Sequence, residues 1–337
     1  MSNNKEDMIK EISDVLKENK KIKTITFKMT MCRLIPRLSS LLTIPFLFLG
    51  VFLFKMKDDF AFLRKLPDFL LPICVIVVVC LVLTTLFSRK ALNKKFEILE
   101  NEFYKILYKN DKVEMIYEKY FIENCGNSNV SGIDIIFEKS SAFLERGKGN
   151  HKNYMKDLKV VSDFNVNRLE FNINGKKAIF IINSPLKFVE RRGKSTVTYY
   201  VSSNAIFIDN KFYDYTFSGV KVKPGKAKEE NYKTESVAFN KLYRINKSQN
   251  DLIAPKFLSP KIIDGLTQID IKDFHSVGVE DYVHFDRCSS GKAVYPIGVM
   301  DIKKVLNWNK LAKLVVDKME LDVKLFKDSL KVIDLFA

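Results

Sequence analysis

The sequence has no G-x-S-x-G, no H-E-x-x-H and no G-x-G-x-x-G, so it lacks the nucleophile elbow, the helical zinc-protease motif and the dinucleotide fingerprint. It has no C-x-x-C either. Its cysteines stand at 32, 74, 80, 125 and 288, an odd number without regular spacing. That excludes a regular disulfide framework and favours a reduced compartment. Ser290–Gly291–Lys292–Ala293 resembles the end of a phosphate loop. However, Asp286 stands where that loop needs glycine and Ala293 where it needs Ser or Thr. No internal repeat is visible. Arginine is scarce, with 10 against 46 lysines in a chain of net charge +16. Base and phosphate recognition favours Arg, and the chain is rich in Asn and Ile, so specific nucleic-acid binding is not the reading. Anionic lipid head groups are the simpler partner, at about 1 kcal/mol per Lys near a bilayer.

Charge is absent from two long runs. Residues 38–54 read LSSLLTIPFLFLGVFLF, 17 positions without a charge, and residues 69–88 read FLLPICVIVVVCLVLTTLFS, 20 positions without one. As helices they reach roughly 26 and 30 Å, close to the hydrocarbon thickness of a bilayer. Fourteen residues of the second run are Leu, Ile, Val or Phe. At roughly −0.3 to −0.6 kcal/mol each they supply about −4 to −8 kcal/mol of insertion free energy. The first run is weaker and carries Pro45 and Gly50, which membrane helices tolerate. It starts too far along the chain for a signal peptide, and no small-residue cleavage site follows. Neither run holds an ionisable residue or a G-x-x-x-G, which argues against an ion pathway or a pore.

Lysine and arginine set the orientation. In the flanking segments six lie before the first run (Lys20, Lys21, Lys23, Lys28, Arg33, Arg37) and six after the second (Arg89, Lys90, Lys94, Lys95, Lys105, Lys109). The loop between holds four, offset by Asp58, Asp59 and Asp68. The expectation is a multi-pass protein of the cell inner membrane with both termini cytoplasmic. Arg33, Arg37, Arg89, Lys90, Lys94 and Lys95 are then the candidates for contact with lipid head groups.

Elsewhere the pattern is that of an α+β domain. Residues 4–22 have helical spacing, with acids early and lysines late. Residues 89–109 continue that spacing beyond the second run. Strand-like stretches follow at Leu169–Asn172, Ala178–Ile182, Thr196–Val201, Ala205–Ile208 and Phe212–Phe217, with turn residues between them. Tyr282–Asp286 and Ala293–Ile297 read as two more. Ser259 and Pro260 cap a short helix, and an amphipathic helix from about 308 to 335 closes the chain with Val315, Met319, Phe326, Leu330 and Ile333 on one face. The expected architecture is a two-helix transmembrane hairpin plus a cytoplasmic, mainly antiparallel sheet domain with flanking helices. Its parts are an amphipathic N-terminal helix (1–37), membrane helices (38–54 and 69–88) around an extracytoplasmic loop (55–68), a helical stalk (89–125), the α+β domain (126–300) and the C-terminal helix (301–337).

The best candidate for chemistry is EDYVHFDRC, residues 280–288. Alternation on a strand sets Glu280, Tyr282, His284 and Asp286 on one face. A histidine beside carboxylates suits acid–base work or a divalent metal, and Cys288 invites a Cys–His reading. The plainer interpretation is the solvated face of a half-buried strand. Metal sites draw ligands from several elements, and the remaining histidines are only His151 and His275.

Three stretches carry a family resemblance: VSSNAIFIDNKFYDYTFSGVKVKP (201–224), ESVAFNKLYRINKSQNDLIAPKFLSPKIIDGL (235–266) and FHSVGVEDYVHFD (274–286). With the two apolar runs, the chain resembles a bacterial family of membrane proteins of unknown function over most of residues 38–300. It departs from that family at DLIAPKF (251–257), where the family carries E-A-R-Y, and at SGIDIIFEK (131–139), which lacks a second glycine. The resemblance implies two N-terminal membrane helices and a cytoplasmic α+β domain, and no activity. The functional expectation is a membrane-anchored binding or scaffold module without a cofactor, an accessory component of a membrane complex. Its partners would be anionic lipids and a protein partner or further copies of itself. The alternative is an enzyme acting on a lipid or envelope precursor.

Overall fold

A computed structural model describes residues 2–56, 70–108, 111–138, 144–158, 164–209, 217–269, 273–302 and 308–337. Its contacts divide the chain into two units, residues 16–107 and residues 1–15 with 108–337.

Helix α1 runs Ser2–Glu18. Asn19 ends it and caps the next, its side-chain oxygen accepting from the backbone N–H of Lys21 at 3.0 Å and of Ile22 at 3.1 Å. The single helix expected over 1–37 is therefore two. The second, α2, continues from Lys20 through Met56. Helix α3 spans Leu70–Tyr108. Residues 38–54 and 70–88 thus fall in helical backbone, which continues into charged residues at both ends of the first run and after the second. Ile22, Ile25, Met29 and Cys32 are buried on α2, as are Phe96, Leu99 and Phe103 on α3, at the three- and four-residue spacing of a packed helix face. The two helices meet where the Arg33 guanidinium lies 4.4 Å from the centre of the Phe96 ring. Among the described residues no helix is long and apolar enough to cross a membrane. Many side chains of 38–54 and 69–88, and residues 57–69, lie outside the described residues.

The second unit is α+β. Helix α4 (Asp111–Asn124) is separate from α3, so the stalk expected over 89–125 is two helices. The strands are β1 (Val130–Ile136), β2 (Glu145–Arg146), β3 (Arg168–Ile173), β4 (Lys176–Ile182), β5 (Leu186–Arg192), β6 (Ser195–Asp209), β7 (Lys221–Pro224), β8 (Tyr243–Ile245), β9 (Phe274–Val279) and β10 (Tyr282–Gly291). They form one sheet of order β1-β3-β4-β6-β10-β9-β7-β8, with β5 beside β6 and β2 beside β5. The pairings are antiparallel except the two-residue contact of β2 with β5.

Local chemistry explains the connections. Asn174 and Gly175 take positive φ, 50° and 76°, and turn β3 into β4. The two strands expected over 196–208 are one, because the polar residues between them find buried partners. Asn204 Nδ2 donates to Ser329 Oγ at 3.0 Å, and Ser203 Oγ accepts from Asn183 Nδ2 at 3.1 Å. Residues 293–297 form no strand: the Val294 N–H donates to Ser202 Oγ at 2.9 Å instead of to a ladder. The expected strand at Phe212–Phe217 lies, up to residue 216, outside the described residues.

Four short helices, α5 (His151–Lys156), α6 (Val237–Leu242), α7 (Ile253–Phe257) and α8 (Pro260–Gln268), precede the long α9 (Trp308–Ile333). Ser259 caps α8, accepting from the Ile262 N–H at 3.4 Å. Helix α9 packs on β6 and β10 and buries Val315, Met319, Phe326, Leu330 and Ile333. The Phe326 ring lies 5.0 Å from Phe171, 5.4 Å from Phe180 and 5.8 Å from Phe121. The opposite sheet face is covered too. Tyr154, Met155 and Leu158 pack on Phe188, Val201 and Cys288, while Phe164 packs with Val166 on Ile181, Ala205 and Phe207.

Candidate functional site

That double cover decides the fate of the 280–288 segment. Val283 through Cys288 are all buried. The reading of His284 and Asp286 as a solvated strand face is corrected: they are 2% and 3% exposed, because β10 lies between two layers. The expected four-residue face also divides, since Tyr282 is half-buried and Glu280 exposed.

Strands β9 and β10 bring three polar side chains together on the face away from α9. Ser276 Oγ donates to Asp286 Oδ2 at 2.8 Å, and that oxygen lies 3.6 Å from His284 Nε2. Among the described residues Nε2 has no hydrogen-bond partner. A buried polar atom left so costs about 1–3 kcal/mol, which marks it as a functional candidate. The ring leans into space left by Gly278: a Cβ there would stand 3.3 Å from the ring and 2.7 Å from the Val220 carbonyl oxygen.

Burial moves both titrations. It lowers His284 to about 4, with Lys221 lowering it further and a hydrogen bond to the Tyr282 backbone opposing. It raises Asp286 to about 7, against the Ser276 hydrogen bond and the Lys221 charge. Between about pH 4 and 7 the pair therefore carries little charge, and Asp286 gains or loses its proton close to neutrality. Cys288 packs against Phe188 and Val201, and burial, then Asp273 and Asp286, pushes its thiol up to about 12. A thiol buried in this way holds its proton at neutral pH, which argues against the Cys–His reading. Among the described residues no three His, Cys, Asp or Glu side chains are grouped to hold a metal. The other two histidines are engaged elsewhere, His151 Nδ1 with Glu190 at 2.6 Å and His275 Nε2 with the Leu158 carbonyl at 3.2 Å.

A second buried polar group lies on the α9 side. Asp322 accepts from the Tyr117 hydroxyl, from Lys318 Nζ and from the Gly298 N–H at 3.0 Å. Lys318 also donates to the Tyr295 carbonyl at 2.8 Å. Burial raises Asp322 and lowers Lys318, each opposed by the other's charge. The contacts tie 295–298 to α4 and α9, which is a structural task. The sequence held a signal for it: Asp322 falls in the apolar stripe Val315–Met319–Phe326. A cavity of about 30 Å³ near Arg287, lined by Ser202, Asn204 and Leu325, has room for little more than water. Of the lipid-contact candidates, Arg37, Arg89, Lys90, Lys94 and Lys95 are exposed, and Arg33 is half-buried against Phe96.

No protein-family model, curated protein or solved structure matches this chain.

Proposed function

We propose that the protein is a membrane-anchored binding or scaffold module, held by a helical hairpin over 38–54 and 69–88 with both termini in the cytoplasm, and that it serves as an accessory component of a membrane complex. The observation that carries this is apolar surface left uncovered on both helices. Leu38, Leu41 and Phe48 of α2 and Ile73, Ile76, Val79 and Leu83 of α3 are exposed, Phe48 to 72%. Apolar surface facing water costs roughly 25 cal/mol per Å², and patches of this kind mark a membrane or a partner. Exposed Arg37, Arg89, Lys90, Lys94 and Lys95 flank the runs, where anionic head groups add about 1 kcal/mol each. The family resemblance implies the same arrangement. Extraction of the full chain from membranes by alkaline carbonate would remove the anchor from the reading. A phosphatase fused after Ala337 is expected to be inactive; activity, which requires export, overturns the topology. Crosslinking from native membranes is expected to recover a partner, and recovery of the monomer alone, with no lipid preference, opposes the module.

The second reading is an enzyme acting on a lipid or envelope precursor. It is favoured by one observation, a buried carboxyl that titrates near neutrality beside His284. Turnover of a membrane extract by the wild type that Asp286→Asn abolishes, with the fold retained, would establish it. Equal turnover by the two proteins would exclude it.

A further inference from the structure

We propose that the sheet face built by β7, β8, β9 and β10 binds a phosphate group, its charged oxygens held by Lys221, Lys223 and Arg244 and its hydroxyl donating to His284 Nε2. The inference does not depend on whether the helices cross a membrane.

The strand register builds the site. Lys221 pairs with Gly278, and Gly278 pairs with His284, so the three form one row across the sheet. Gly278 contributes no side chain to it, leaving the Lys221 stem to face the His284 ring, whose titration it depresses. Lys223 shares the face of Lys221 and pairs with Arg244. Among the described residues none of these three cations has a carboxylate within ion-pair distance. The crowding is felt: Lys223 is lowered by burial, then by Lys221 and Arg244, and Asp157 and Asp286 offset this only in part. Three like charges gathered beside an orphaned buried nitrogen are stabilised by one anion that also brings a proton.

That second demand selects the ligand. The His284 ring is neutral near pH 7 and bonded to the Tyr282 backbone, so Nε2 is left as the acceptor. A phosphate group loses its second proton at a pKa of about 6, so part of it keeps a P–O–H to donate near neutrality. Sulfate has none. Asp286, with its proton held, adds no repulsion, and Ser276 is committed to it. The groups facing the site are Lys221 and Lys223 of β7, Arg244 of β8, His275 of β9, His284 and Asp286 of β10, Glu280 in the turn and Asp157 after α5. Of these, Asp286 changes charge near neutrality. Binding therefore weakens as pH rises through 7, as Asp286 and the phosphate both lose protons.

The test is histidine-ring NMR of the full chain in detergent, where three histidines give three signal sets and His284→Asn identifies the one that matters. Inorganic phosphate is expected to move the His284 signals, and sulfate to leave them in place. Lys221→Gln with Lys223→Gln should weaken phosphate binding by about tenfold or more. Unchanged His151 signals in that variant would report an intact fold. A second arm places the protein in nanodiscs of phosphatidylcholine with or without phosphatidic acid. A response to free phosphate assigns a soluble ligand, a response only to phosphatidic acid assigns a lipid head group, and either supports the site. Motionless His284 signals in both arms, an equal response to sulfate, or unaltered affinity in the double variant overturns it.

Discussion

Replacing Asp286 with Asn should change how stability depends on pH, in a direction that the two buried titrations fix. In the folded protein Asp286 holds its proton up to about 7, against an ordinary 3.8. The folded state therefore keeps a proton that the unfolded chain releases. That contribution is complete below about pH 4 and is lost as pH rises to about 7. At 1.36 kcal/mol per pH unit it amounts to about 4 kcal/mol. His284 works the other way, being lowered from 6.5 to about 4. The unfolded chain takes up a proton that the folded state refuses, so stability rises between pH 4 and 6.5, by about 3 kcal/mol. In the wild type the two slopes largely cancel up to pH 6.5. Asp286→Asn removes only the falling slope. The variant should thus gain on the wild type steadily from pH 4 to 7, by about 4 kcal/mol in all, and no further above 7. Denaturant unfolding followed by Trp308, the single tryptophan and the first residue of α9, measures the difference at each pH. A difference that stays constant with pH, or favours the wild type as pH rises, would show that Asp286 does not carry a buried proton.

Asp322→Ala should cost about 3–5 kcal/mol in the same unfolding assay, because it strands a buried Lys318 cation and leaves Tyr117 and Gly298 without their acceptor. Lys318→Met with Asp322→Leu should recover most of that loss, and a double variant as unstable as Asp322→Ala would contradict the ion-pair account. Cys288 should resist iodoacetamide at pH 8 until denaturant is added, since its thiol is buried and pushed up to about 12; labelling of the native protein at Cys288 in a peptide map would refute this. Ser259→Ala should cost about 1 kcal/mol through loss of the α8 cap, and a shift of the unfolding midpoint near zero would count against the cap.

Much of the sheet was legible because alternation and turn chemistry act locally. Asn174–Gly175 announced its hairpin, Ser259–Pro260 its helix, and the 315–333 stripe the face of α9. The failures share a cause. Ser202, Ser203 and Asn204 read as a break because their partners, Asn183, Val294 and Ser329, are distant in sequence. His284 and Asp286 read as solvated for the same reason: the layer that covers this sheet face at Phe207 and Cys288 comes from Tyr154, Met155, Leu158, Phe164 and Val166, and nothing in 280–288 announces it. Lys221 and Lys223 stood in plain alternation in VKVKP, but their meaning needed the register of β7 on β9, which the sequence does not contain.

The two buried polar groups of the second unit differ in a way that separates architecture from function. Around Asp322 each carboxylate oxygen has a donor, and Lys318 meets both Asp322 and the Tyr295 carbonyl. Such a network holds one arrangement and has nothing left to offer a ligand. Around His284 the accounting among the described residues is incomplete, with an orphaned Nε2, a carboxyl poised to titrate near neutrality and only partly offset cations in the adjoining rows. Folding alone would favour replacing that group by apolar side chains, as the neighbouring Ala205 and Phe207 show that this face accommodates. A cost kept where an inexpensive apolar solution exists is expected where something else binds. Histidine 284 to Leu is therefore predicted to leave the protein as stable as the wild type or more so, while Asp322→Leu alone destabilises it. Denaturant midpoints of the two variants decide the matter, and a His284→Leu protein that unfolds as readily as Asp322→Leu would make the His284 group architecture too.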